Sequence, residues 1–170
     1  MGGARLRQRG FTYLGLLFLL ALLGVGALTA ALWSSVQAQR EREAELLFVG
    51  QEFREALRRY AAAQPAAQPQ GASRYPAELE HLLRDPKRLE VRRYLRRLYP
   101  DPMTGRADWV LLRTPEGGIV GVHSRSEKKP LKQAGFDEPD AALTGRARYA
   151  DWIFSPEPNI AAGTAPRSSK

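Results

Sequence analysis

The distribution of apolar and polar residues divides the chain into an apolar segment, an amphipathic segment and a mixed remainder. The apolar segment runs from Phe11 to Trp33, 23 residues without a charge. A helix rises about 1.5 Å per residue, so this segment would span roughly 34 Å, enough to cross a hydrocarbon core of about 30 Å. The pattern therefore predicts a transmembrane helix over 11–33.

The residues before the apolar segment are basic, with Arg5, Arg7 and Arg9 and no acid among them. Positive charges beside a membrane helix stay on the cytoplasmic side. We therefore expect a single-pass membrane protein whose N-terminus is cytoplasmic and whose C-terminal part lies on the other side.

The amphipathic segment follows Trp33 without a helix breaker and extends to about Ala63. It is rich in good helix formers, and its large apolar residues recur at steps of three and four, which is typical of one buried helix face. These residues are Leu46, Val49, Phe53, Leu57 and Tyr60, with Gly50 as the alternative to Val49 at that step. We predict one continuous helix from Phe11 to near Ala63, ended by the proline-punctuated loop 64–71.

The remainder predicts a small α+β domain made of short elements. Val-, Ile- and Leu-rich runs on either side of a glycine-containing loop indicate a β-hairpin, and proline before a leucine-rich run indicates a short helix. In chain order we expect helices over 77–83 and 87–98, a turn at 101–105, strands over 109–113 and 119–123, and a third strand over 149–154. Residues 156–170 have little apolar mass and predict a disordered tail.

Three interpretations of the N-terminus compete. One is an ordinary secretory signal cleaved after Ala38, although the apolar run exceeds the usual h-region of about 7–15 residues. Another is an uncleaved signal anchor. The third depends on the junction Arg9-Gly10-Phe11-Thr12, where a basic leader and a lone glycine precede the apolar run.

This junction resembles the prepilin-peptidase site of type IV pilins and type II secretion pseudopilins. The resemblance implies cleavage between Gly10 and Phe11, methylation of the new N-terminal Phe11, and retention of the apolar run as the filament-core helix. The implied organisation is a leader (1–10), a membrane or filament-core helix (11–33), the second half of that helix (34–63), a small α+β head (64–155) and a tail (156–170).

Gly15 departs from the family pattern. The fifth mature position, here Gly15, is a glutamate in the family, where its carboxylate is thought to partner the N-terminal amine of a neighbouring subunit. A carboxylate in hydrocarbon is costly without such a partner. Members without the glutamate are found at the filament tip, so the resemblance implies a minor, capping or specialised subunit.

The densest charge cluster lies in the predicted second helix of the head and includes Arg92, Arg93, Arg96 and Arg97. Such a cluster can contact an acidic protein, phospholipid headgroups or DNA. It can equally be a solvated face whose arginine stems cover apolar surface. The sequence leaves both interpretations open.

Composition argues against an enzyme and suggests no cofactor. The 170 residues carry a net charge of +8, no cysteine and only two histidines, His81 and His123, neither within a catalytic or metal-binding motif.

Major pseudopilins bind calcium before the last strand, and Asp137, Asp140 and Asp151 are the acids near that place. Calcium requires about 6–8 oxygen ligands, and these scattered residues leave the question open.

The resemblance covers residues 5–155 and adds the Asp101-Pro102 turn and Trp109 to the leader motif. It implies an inner-membrane pseudopilin with a periplasmic head that drives protein export. Its implied partners are other pseudopilin subunits, prepilin peptidase and the inner-membrane secretion platform, and no nucleic acid is expected. Two alternatives stay open: a minor type IV pilin that contacts DNA, and a membrane-anchored periplasmic binding protein without a filament role.

Overall fold

A computed structural model describes residues 9–65, 72–87 and 92–157, with side chains in the first helix described for 13–24 and from Trp33 onward. The chain divides into two compact units, one ending at Arg40 and one beginning at Glu41. The predicted leader residues 1–8, loop residues 66–71 and tail residues 158–170 lie outside the described part.

Helix α1 spans Arg9–Ala63 and has 55 residues. The predicted continuous helix is therefore confirmed, with its start two residues earlier than expected. Within the described residues, no helix is both long and apolar enough to span a membrane. The predicted span 11–33 includes residues 11–12 and 25–32, whose side chains lie outside the described set.

The predicted apolar face of α1 forms the core of the second unit. Its five large residues are at most 1% exposed: Leu46, Val49, Phe53, Leu57 and Tyr60. Burying one such side chain, instead of leaving it exposed to water, contributes about 1.5–3 kcal/mol to the free energy of unfolding. The face packs on residues from the rest of the unit, including Leu82, Trp109, Ile119 and Trp152.

Gly50 lies in this face because the Phe154 ring packs directly on the helix backbone. A Cβ atom at Gly50 would lie 2.3 Å from ring carbons of Phe154, closer than real atoms approach. Because Gly50 has no side chain, the C-terminal segment that contains Phe154 can pack directly against α1.

The predicted hairpin is confirmed. Strand β1 (Val110–Arg113) pairs antiparallel with strand β2 (Ile119–His123), with an irregularity between Leu112 and Arg113. Gly117 in the connecting loop has a φ of +83°, a conformation that glycine adopts without strain. The turn before β1 is also as predicted, since the Gly105 amide donates to the Asp101 carbonyl at 2.7 Å.

The predicted third strand over 149–154 is wrong. Tyr149–Asp151 is a 3₁₀ turn, and only Phe154 pairs with β2, through a single bridge to Val122. The Asp151 carboxylate accepts from the Arg148 backbone amide at 3.1 Å and closes this turn. Because Trp152, Ile153 and Phe154 are all buried, the segment also lacks the inside–outside alternation of a strand.

The predicted short helix over 77–83 is confirmed in part, as the 3₁₀ helix Leu79–Leu82. The predicted helix over 87–98 is wrong for residues 92–98, which contain no helix, while residues 88–91 lie outside the described part. The backbone amides of Tyr94 and Leu95 both donate to the Leu82 carbonyl, at 2.8 and 3.0 Å. These non-local bonds replace the i to i−4 bonds that a helix would need.

The described residues thus form an α+β fold with one long helix and a two-stranded antiparallel sheet. This architecture is compatible with the pilin-like fold class expected from the sequence.

Candidate functional site

The predicted processing positions lie in the first turns of α1. The helix includes the backbone of Gly10 and Phe11, while the Phe11 side chain lies outside the described set. At Gly15, an added Cβ atom would meet nothing within 4 Å. A Cβ atom at Gly15, the position where the resemblance leads one to expect glutamate, therefore meets no obstacle.

The four predicted contact arginines are all exposed, but the described segment that holds them is not a helix. The Arg92 guanidinium lies 5.8 Å from the centre of the Tyr94 ring, and the Arg97 guanidinium lies 4.9 Å from that of Tyr99. Arg93 and Arg96 instead line a groove. The structure therefore divides the four into two stacked arginines and two groove arginines.

The groove has a volume of about 670 Å³ and lies between α1 and residues 93–99. We call it the arginine groove. Its charged lining comprises three arginines and one glutamate, a net charge of +2, and its aromatic lining includes Phe48 and Tyr99. The charged residues are Arg59 and Glu52 on α1, with Arg93 and Arg96 opposite. A smaller cavity of about 310 Å³ beside Leu83 and Arg84 shares Arg93 and Arg96.

The groove arginines differ in their partners. Arg59 donates to Glu55 at 2.6 Å, whereas the guanidinium groups of Arg93 and Arg96 make no hydrogen bond or ion pair with a described residue. Burial alone would raise the pKa of Glu55, but hydrogen bonds from Arg59 and Arg58 lower it below its ordinary value. Glu55 therefore stays ionised and holds Arg59, while Arg93 and Arg96 are available to an external anion.

The two residues between the groove arginines anchor the segment in the core. The Tyr94 hydroxyl donates to the Asp85 carboxylate at 3.1 Å, and its ring packs edge-on against Tyr60 with centroids 5.2 Å apart. Leu95 is 2% exposed. With Tyr94 and Leu95 fixed inward, the neighbouring side chains of Arg93 and Arg96 are exposed at the groove.

Tyr60, which packs against Tyr94, is itself buried in the core. Its burial, together with the nearby Asp85 and Tyr94, raises the pKa of the Tyr60 phenol from 10.0 to about 12. The phenol is therefore neutral at physiological pH.

The acids considered for calcium are not brought together. Asp140 is buried, lies 2.8 Å from Arg54 and accepts from the Gln51 amide at 2.9 Å. Asp151 pairs with Arg148 at 3.0 Å, while Asp137 is exposed. Across the described ranges no group of three or more acids or histidines could hold a metal ion. These residues do not fit the calcium loop that the resemblance implies.

Two residues of the groove and the core carry no distinguishing local signal in the sequence. Arg59 lines the groove, but its neighbours there come from a distant segment. Glu43 is 4% exposed and accepts from the Leu131 amide at 2.5 Å and from the Tyr149 hydroxyl at 2.7 Å. No local signal distinguishes Glu43 from the exposed glutamates beside it.

The two histidines lie in separate places. His123 at the end of β2 contacts the Ser124 carbonyl at 2.9 Å, and His81 lies 3.9 Å from Glu78. Neither contact assembles a nucleophile with a base in the manner of a catalytic triad.

No protein-family model matches the chain, and neither a curated protein nor a solved structure matches it. A functional proposal must therefore depend on the chain's own residues and their geometry.

Proposed function

We propose that the chain is a filament subunit of a type II secretion pseudopilus, of the minor, capping or specialised kind. The observation that carries this proposal is the basic leader and lone Gly10 placed directly before 23 uncharged residues, continued by α1 to Ala63. In this proposal prepilin peptidase cleaves between Gly10 and Phe11. The head lies in the periplasm and the apolar half of α1 in the inner membrane.

The second half of α1 supports this role because it is the main structural element of the head. Its buried face packs against residues from both the hairpin and the C-terminal segment, and Gly50 admits Phe154 directly onto the helix. Movement of this half of the helix in an assembling filament would therefore carry the head with it. The resemblance implies that a cytoplasmic ATPase drives this movement through the inner-membrane platform.

A minor type IV pilin that contacts DNA is the second candidate, and the free guanidinium groups of Arg93 and Arg96 favour it. Arginines that neutralise phosphates give binding that weakens steeply with salt. The discriminating variant replaces Arg92, Arg93, Arg96 and Arg97 with glutamine. Salt-sensitive DNA binding that this variant loses would support the pilus role over the secretion role.

The decisive experiment is the intact mass and N-terminal sequence of the mature chain, from cells with and without prepilin peptidase. We expect a chain that begins at methylated Phe11 and that disappears without the peptidase. Gly10→Val should block processing, while Gly24→Val, a matched change at an unobstructed helix position, should not. A chain that begins at Met1 or Gln39 in both strains would contradict the proposal.

A further inference from the structure

The arginine groove has the chemistry of a receptor for a short acidic segment. Arg93 and Arg96 present guanidinium groups that no described residue neutralises, and arginine binds carboxylates through well-directed, charge-assisted hydrogen bonds. Beside them, Phe48 is 55% exposed and makes an edge-on contact with Tyr99 at a centroid distance of 6.5 Å. The groove thus offers both positive charge and an aromatic wall.

The same chain displays a segment of complementary chemistry at the start of the 3₁₀ helix Glu138–Leu143. Asp137, Glu138 and Pro139 are all exposed, and they follow the half-buried Phe136. Neither the Asp137 nor the Glu138 carboxylate makes a hydrogen bond or ion pair with a described residue. We call residues 136–139 the acidic turn; its two carboxylates equal in number the two groove arginines, Arg93 and Arg96, that no described residue neutralises.

The groove and the acidic turn lie on different faces of α1. At 3.6 residues per turn, the groove residues Phe48, Glu52 and Arg59 fall within about 40° of one another around the helix. The acidic turn is tied to α1 through Asp140, which binds Gln51 and Arg54. By the same geometry, Gln51 and Arg54 lie about 80° and 140° from the centre of the groove face. Asp140, directly after the turn, is therefore held on a different side of α1 from the groove, and within one molecule neither Asp137 nor Glu138 pairs with a groove arginine. A contact between turn and groove would therefore join two molecules.

We propose that the arginine groove receives the acidic turn of a second copy of this chain. The contact is heterologous, because it uses different surfaces on the two copies, and such contacts repeat along a filament. It deepens the proposed function and rests on it: the chain would be a specialised subunit present in several adjacent copies rather than a single cap. An exposed ion pair by itself contributes little binding free energy. Neighbouring positions in the filament hold the groove of one copy close to the acidic turn of the next, which raises their effective concentration.

Disulfide trapping tests this contact, since the chain contains no cysteine and any disulfide must involve the introduced residues. Two differently tagged full-length chains, one with Arg96→Cys and one with Glu138→Cys, are produced together in cells that have the secretion system. We expect a mixed disulfide dimer. The matched control replaces Glu138→Cys with Glu116→Cys, at an exposed position in the hairpin loop, and should give severalfold less dimer.

A charge exchange then tests complementarity. Arg93→Glu in the first chain should lower the yield of the dimer severalfold, and Asp137→Lys in the second chain should restore it. A yield equal to that of the Glu116→Cys control, or one that Arg93→Glu leaves unchanged, would overturn the inference. If Arg93→Glu impairs secretion while no dimer forms, the groove binds a different acidic partner and the self-contact is wrong.

The intact mass of the chains that are not crosslinked distinguishes failure of the groove contact from failure of the proposed filament role. A mature start at Phe11 without the dimer leaves the filament role standing and removes only the groove contact. A start at Met1 or Gln39 removes the filament role itself.

Discussion

The hydroxyl of Tyr149 donates to the carboxylate of Glu43 at 2.7 Å, with both side chains buried. The same Glu43 oxygen accepts from the Leu131 backbone amide. One carboxylate on α1 thereby holds two points of the segment that leads to the C-terminal part of the core. Farther along α1, the contact between Arg54 and Asp140 fixes the same segment a second time.

Glu43→Ala should lower the free energy of unfolding by about 2–4 kcal/mol, because it removes the carboxylate that accepts from the buried Tyr149 hydroxyl and from the Leu131 and Lys132 backbone amides. Tryptophan fluorescence of the full chain in detergent during urea denaturation measures the change. The matched control is Glu45→Ala, an exposed position two residues away, where a change below about 0.5 kcal/mol is expected. Equal effects of the two substitutions would contradict the role assigned to Glu43.

Gly50→Ala should destabilise the second unit by about 1–3 kcal/mol, because the new methyl group overlaps the Phe154 ring. Thermal unfolding followed by near-ultraviolet circular dichroism reports this loss. Gly24→Ala is the control, since an added Cβ atom there meets nothing within 4 Å. Gly50→Ala should cost less stability in a Phe154→Leu background than in the wild type; an equal cost in both would show that the ring is not the obstacle.

Stability should decrease in alkaline solution as Tyr60 ionises. Its folded-state pKa of about 12 lies above the ordinary value of 10.0, so the neutral phenol favours the folded state. This contribution is complete below about pH 10 and disappears as the pH rises through about 12. Urea denaturation of the wild type and of Tyr60→Phe across this pH range should show a shallower decrease in the variant.

At neutral pH the same variant should be as stable as the wild type or slightly more stable. The buried Tyr60 hydroxyl has no hydrogen-bond partner among the described residues, so its removal breaks no such bond. Tyr94→Phe is the matched contrast, because it takes a donor from the buried Asp85 carboxylate and should cost about 1–3 kcal/mol. A larger loss for Tyr60→Phe than for Tyr94→Phe would contradict this assignment.

Calcium should leave the melting temperature of the chain unchanged. Asp140 and Asp151 are engaged by Arg54 and Arg148, and the hydrogen bonds of Arg148 to Asp151 and Glu127 raise the pKa of its guanidinium. Thermal unfolding with millimolar calcium and with a chelator tests this. A reproducible difference that Asp140→Asn abolishes would show a calcium site at this segment.

Gly15→Glu should change how the chain enters filaments. The substitution restores the carboxylate of the resembling family at an unobstructed position, so we expect more of the chain in sheared filament fractions. Gly15→Gln is the control of equal size without the charge. If Gly15→Glu changes neither filament content nor secretion, Gly15 does not define a minor, capping or specialised role.

Local patterns in the sequence were sufficient for α1, its buried face and the hairpin. The three- and four-residue spacing from Leu46 to Tyr60 can place all five side chains on one side only in a helix. Glycine in the loop between two apolar runs likewise favours the hairpin that Gly117 closes. These features depend on residues close together in the chain, so periodicity and turn chemistry suffice to predict them.

The sequence by itself therefore determined the long helix, its core face, the hairpin and the uncharged segment with its basic leader. Only the tertiary structure decided that residues 92–98 are not helical, since the Leu82 carbonyl takes the amides of Tyr94 and Leu95. It also decided that Arg59 shares a groove with Arg93 and Arg96, and that Glu43 is buried. Each of these outcomes joins residues far apart in the chain, and no local pattern encodes which distant partner a polar group will meet.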